Sequence, residues 1–226
     1  MVGRVAAAGA REVLVACGQG RSYGKESSFL RLRKLPGIRL CGLWERLQAH
    51  PARPTRALLT DVGNDLIYGE PVAEIVVWLE ECLARLAAAD AEVVLTPLAL
   101  GRLDKLTPLS YRIAQKVMFP GRDLPLSELL RRAHELDARL RRLAYRHGAT
   151  LVEQPADWYG LDPIHFRRGK RKEAWERILS SWPVREPQER VRLPLIGAET
   201  YKLFGRTRTT PQPVLRVAGG AEVWVY

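Results

Sequence analysis

The run Ala57-Leu58-Leu59-Thr60-Asp61-Val62-Gly63-Asn64-Asp65 decides how the chain is read. A short apolar succession that ends in a Gly-Asn-Asp turn is the pattern of a strand buried on both faces, as in a parallel sheet. Downstream, Pro71 stands near a helix start, and Val76, Leu79, Leu83 and Leu86 recur every three to four residues, so a helix follows the strand. Four further apolar runs, at residues 13–17, 38–41, 92–97 and 150–153, have the same character. Ser127 can cap a second helix, whose stripe passes through Leu130, Ala133, Leu136, Leu140 and Leu143 until Gly148 stops it. Strand, helix and strand in this order imply right-handed crossovers. The expected fold class is α/β, a three-layer α/β/α sandwich around a mainly parallel five-stranded sheet.

Working outward, Pro108, Pro120 and Gly121 mark residues 101–123 as a loop with a short helix at most. Beyond Trp182-Pro183 the pattern changes, with Pro187, Pro194, Pro211 and Pro213 separating short segments. Residues 214–217 and 222–226 flank Ala218-Gly219-Gly220-Ala221 and read as a hairpin. The expected organisation is an α/β domain over residues 1–182 and a small β-rich extension over 183–226.

A chain of 226 residues, 46% of them hydrophobic, can bury one substantial core. Its first eleven residues lack the apolar segment of a secretory signal, and no uncharged apolar stretch is long enough to cross a membrane. A cytoplasmic protein is expected. Cys17, Cys41 and Cys82 have no CxxC spacing, which points to reduced, buried cysteines rather than disulfides or a metal site; a Cys-His nucleophile is the sharper alternative. The net charge of +11 would suit nucleic acid. However, the basic residues of 31–34, 131–146 and 167–172 alternate with apolar positions or share helix faces with Glu, which speaks against a nucleic-acid partner. An anionic ligand remains compatible, and the oligomeric state is not encoded legibly.

In an open parallel sheet, reactive groups collect at the carboxyl ends of the strands. Here those ends carry Cys17-Gly18-Gln19-Gly20-Arg21-Ser22-Tyr23-Gly24, then Gly42, then Gly63-Asn64-Asp65, then Asp162-Pro163-Ile164-His165. Asp162, three residues before His165 across a proline, can orient the imidazole and leave its other nitrogen free as a base; equally, it can cap the following helix. Asn64, beside a glycine, can donate to a developing oxyanion, or simply make a turn.

This order of blocks resembles the SGNH hydrolases, also called GDSL esterases and lipases, over about residues 12–180. The resemblance rests on Val62-Gly63-Asn64-Asp65 and on Leu161-Asp162-Pro163-Ile164-His165-Phe166. It implies a flavodoxin-like sheet of the SGNH type, with His165 as the base, Asp162 as its orienter and Asn64 and Gly42 as oxyanion donors. Gly37 is a weaker alternative to Gly42. It also implies a small ester or acetylated substrate, with neither cofactor nor metal. The family's first block carries its nucleophilic serine where this chain has Gly20. Three outcomes stay open: Ser22 takes the role after a shift of the turn, a water occupies the space at Gly20 and is activated by His165, or the site binds a ligand without turnover. Arg21 would favour an anionic ligand or face solvent. The same glycine-rich turn, with Lys25 following and Asp61 as a magnesium carboxylate, suggests a phosphate-binding loop, but its glycine spacing is one residue too long and Glu26 stands where a hydroxyl belongs.

Overall fold

The computed structural model describes residues 1–226 except 30–32, 50–52, 119–123, 161–164, 187–190, 195–196 and 218. The strands, in chain order, are β1 (Glu12–Val15), β2 (Ser27–Phe29), β3 (Arg33–Leu35), β4 (Arg56–Leu59), β5 (Glu92–Leu95), β6 (Thr150–Leu151), β7 (Thr200–Leu203), β8 (Arg206–Thr209), β9 (Leu215–Arg216) and β10 (Glu222–Val225). The helices are α1 (Val2–Ala7), α2 (Leu43–Gln48), α3 (Asn64–Ile67), α4 (Val72–Ala88), α5 (Leu100–Leu103), α6 (Pro108–Met118), α7 (Leu126–Arg146) and α8 (Arg171–Ile178). They divide between two compact units: Pro54–Ile178 is continuous, whereas the other joins Met1–Arg53 to Leu179–Tyr226.

In the continuous unit, β4, β5 and β6 form a three-stranded parallel sheet in which Leu58 pairs with Val94 and Leu59 with Leu95. Val93, Val94 and Leu95 are all buried, as strands covered on both faces require. The long helices lie where the apolar periodicity set them. Helix α4 buries Ile75, Leu79, Leu83 and Leu86, and α7, which packs against it, buries Ala133, Leu136, Leu140 and Leu143 before Gly148 turns the chain with a left-handed backbone. The N-terminal cap positions are held by Pro71 and Pro125 rather than by Ser127.

The discontinuous unit holds two sheets. One has the order β1-β10-β9, with β1 and β10 parallel; the other is an antiparallel sheet in the order β2-β3-β7-β8. Alternating burial puts Val13 and Val15 of β1 and Val223 and Val225 of β10 into a core shared with Val2, Ala6 and Leu35.

The expected five-stranded, mainly parallel sheet of a flavodoxin-like α/β/α sandwich is therefore corrected. The described residues form three sheets of three, four and three strands, and among these only β4-β5-β6 is parallel throughout. Two of the five apolar runs account for the difference. In the run 38–41, Ile38–Leu40 form a short 3-10 turn in which the amides of Ile38 and Arg39 bond to the carbonyls of Ser22 and Tyr23; none of its residues is buried and Leu40 is 58% exposed, so the run is not a core strand. Run 13–17 is half-buried, and the equally alternating segment Glu222–Val225 takes its edge. Among the described residues, no helix is long and apolar enough to cross a membrane.

Candidate functional site

At the carboxyl end of the parallel sheet, the loops after β4, β5 and β6 enclose a cleft of about 110 Å³. Thr60 and Thr96, whose hydroxyls bond at 3.0 Å, join the first two strand ends beneath it. Beyond Thr60 the chain turns at Asp61 with φ of +57°, a left-handed conformation that aspartate tolerates better than most residues but that still costs energy. The amide of Asn64 closes this turn on the Asp61 carbonyl, and α3 begins there, with Leu66 almost wholly buried in the cleft wall. Asp61, Gly63 and Asn64 all line the opening. At Gly63 an added Cβ would come within 3.1 Å of Leu98, so the turn lies tight against the loop after β5.

Polar groups brace the cleft walls. The Tyr159 hydroxyl donates to Gln154 Oε1 at 2.6 Å, and Gln154 Nε2 donates to the Pro97 carbonyl at 2.6 Å. Asp137, buried on α7, accepts the Leu98 amide at 3.0 Å and Arg141 Nε at 2.7 Å. Asp61 is an exposed residue by surface area, yet protein crowds around its carboxyl, and that desolvation holds it above the usual carboxylate range, against the opposing pull of the His165 imidazole. Burial, reinforced by the Asp61 charge, likewise pushes up the Tyr159 hydroxyl. Asp61 thus interacts electrostatically with both His165 and Tyr159.

His165 precedes a strand-like bridge between Phe166 and Tyr159, reinforced by the Arg167 amide on the Trp158 carbonyl at 2.8 Å. The Phe166 ring packs against Trp158, Tyr159 and Trp175 with centroids 5.3–5.7 Å away, which fixes the backbone directly after His165. The imidazole itself is exposed. Asp162, expected to orient it, lies outside the described residues. Asp61, first considered only as a metal ligand, is a described carboxylate with an electrostatic interaction with His165. Among the described residues, no group of three or more His, Cys, Asp and Glu side chains is arranged to hold a metal ion.

No model of a known family matches the chain, and neither does any curated protein.

The other expected site residues belong to the discontinuous unit, on turns outside the parallel sheet. Ser22 is 1% exposed, and its Oγ accepts the amides of Gly24 at 3.1 Å and Lys25 at 2.9 Å. Arg21 is 2% exposed. Its Nε and Nη2 donate to the Pro36 carbonyl at 3.1 and 3.0 Å, and its Nη1 donates to the carbonyls of Cys17 and Tyr226. Gly20 supplies a left-handed turn residue, and Gly42 caps α2 beside the Glu199 carboxylate, which a Cβ there would displace. The glycine-rich turn leads into strand β2, not into the helix N-terminus on which a phosphate-binding loop depends. Cys41 and Cys82 are buried, but Cys17 is exposed.

Helix α6, 11 residues long, supplies two cleft residues, Tyr111 and Gln115, from a segment expected to be a loop with a short helix at most. Its signal was present. Thr107 precedes Pro108 at the first helical position, and Thr107 and Ser110 satisfy one another's amides through their hydroxyls at 3.2 and 3.1 Å.

Proposed function

We propose that the cleft of the Pro54–Ile178 unit hydrolyses a small ester or acetylated substrate. His165, paired electrostatically with Asp61, takes a proton from water as the water oxygen attacks the acyl carbonyl. The tetrahedral oxyanion accepts a hydrogen bond from Asn64, and the imidazolium returns the proton to the departing alcohol, leaving a carboxylic acid. From the SGNH resemblance this keeps the roles of His165 and Asn64; the sandwich fold is not carried over. The observation that carries the reading is the Asp61 carboxyl, held by a left-handed backbone at an apolar cleft and within electrostatic reach of an exposed imidazole. Strained backbone and a displaced carboxyl together at a cleft are typical of reactive sites.

Water is preferred to Ser22 as nucleophile because Ser22 Oγ is buried and accepts two backbone amides. Hydrolysis of p-nitrophenyl acetate tests both parts. The wild-type protein is expected to turn the ester over, His165→Ala to lose roughly 100-fold or more, Asn64→Ala to lose roughly 100-fold, and Ser22→Ala to keep its activity per folded molecule. Loss of activity in a folded Ser22→Ala variant would overturn the water mechanism. Absence of turnover on any short ester would overturn the hydrolase reading and leave a ligand-binding cleft.

A further inference from the structure

Gln115 lies on α6, one turn beyond Tyr111, and both side chains line the cleft of the Pro54–Ile178 unit. Gln115 is 8% exposed and Tyr111 5%. The Tyr111 hydroxyl donates to the Leu124 carbonyl at 2.7 Å. Gln115 contacts the same two oxygens, at 3.1 Å to the hydroxyl and 3.2 Å to the carbonyl.

This arrangement fixes the orientation of the amide. A carbonyl oxygen only accepts, and the tyrosine has already used its one proton, so the Gln115 atom facing both must be Nε2. The other end, Oε1, accepts no hydrogen bond among the described residues, and since it is not one of the fully buried unpartnered atoms it keeps exposed surface on a side chain that lines the cleft. Elsewhere the cleft is lined mostly by leucine, isoleucine, valine, proline and alanine side chains. An oriented, unpartnered acceptor on an apolar wall favours ligands that bring a donor and disfavours those that do not.

The geometry points to a cleft that selects a small apolar group bearing a hydroxyl or N–H donor, which Gln115 Oε1 accepts. The size is that of a single ring or a short branched chain, since an enclosed apolar cavity of ~150 Å³ takes up benzene and this cleft of about 110 Å³ is open on one side. The inference rests on the hydrolase reading in taking this group as the acyl part of the substrate, so the favoured substrates are esters of hydroxylated or phenolic acids.

Binding separates the two ideas, because it requires no turnover. Phenol and its methyl ether anisole have nearly the same apolar body, and only phenol can donate. Titrated into the full chain and followed by ¹⁵N side-chain amide resonances, phenol is expected to bind roughly 10-fold or more tightly than anisole and to shift the Gln115 signal, which anisole leaves in place. In Gln115→Met, which keeps the length but offers no such acceptor, the preference is expected to disappear. His165→Ala is expected to retain it. Equal affinity for phenol and anisole in the wild-type protein, or a preference that survives in Gln115→Met, would overturn the inference. If Gln115→Met does not fold, the wild-type affinity ratio and the Gln115 resonance decide alone. A phenol preference without ester turnover would overturn only the hydrolase reading; turnover without the preference would overturn only the selectivity.

Discussion

Replacing Arg21 with methionine keeps an unbranched apolar stem and removes a buried guanidinium that holds three backbone carbonyls, those of Cys17, Pro36 and Tyr226. Each bond is charge-assisted and worth ~1.5–3 kcal/mol net, and each carbonyl loses a partner in a place where water replaces it poorly. Against this, burial already disfavours the arginine's charge, since it lowers the guanidinium from its ordinary value, and methionine escapes that cost. The balance is a loss of about 3 kcal/mol. For a chain of this length that corresponds to a Tm lower by roughly 6–12 °C. Urea unfolding followed by circular dichroism should give a reduced midpoint with an unchanged slope. Arg21→Lys should fall between, because one ammonium cannot reproduce the planar fork. An unchanged midpoint in Arg21→Met would refute the structural role and return Arg21 to the ligand-binding role expected from its place in the turn.

Asp61→Asn keeps a residue that tolerates left-handed backbone while removing the charge. Because burial raises the Asp61 carboxyl, folding favours its protonated form: that stabilisation is complete below ~3.9, the unfolded value, and is lost as the pH rises through the higher folded value. The variant should therefore be the more stable protein at pH 7, lose that advantage in acid, and hydrolyse esters more slowly; equal stability at pH 7 would count against the burial of this carboxyl. Glu26 presents the opposite sign. On the antiparallel sheet Lys34 and Lys202 stand directly opposite one another, and Glu26 bridges them at 3.0 and 2.7 Å. Hydrogen bonds from Lys202 and then Lys34 hold its carboxyl low. Its contribution is present above ~4.3 and is lost as the pH falls through the lowered value, so Glu26→Gln should cost about 0.5 kcal/mol at pH 7 and nothing in strong acid. A thermal melt at each pH reads both.

What could be read from the residues was local and strongly periodic. The apolar run before Asp61, the runs at 92–97 and 150–153, whose first residues form strands, and the stripes of α4 and α7 each carry enough regularity to set their own structure. Choice of strand partner is not local. Nothing within residues 12–15 specifies that they pair with residues 222–225 instead of with β4, and the alternation of Val13 and Val15 fits either neighbour. The same limit shaped the site. A loop after a parallel strand could be expected to carry Asn64 to a cleft, whereas Arg21 and Ser22, types that are usually exposed, gave no sign of being buried and bonded to the backbone. Asp61 announces itself only through a φ angle and an electrostatic neighbour a hundred residues away.

The parallel pairing of β1 with β10 sets an order of events on the ribosome. Val15 must wait for Val225, and at ~5–20 residues per second the interval is roughly 10–40 s. During that time the nascent chain carries an unpaired hydrophobic edge at β1. The segment Pro54–Ile178, being continuous, has its own strands in hand long before the last ones emerge. Vectorial synthesis thus favours completing the cleft first, and exposes the early strand to chaperones, or to another copy of itself, until residues 222–225 emerge.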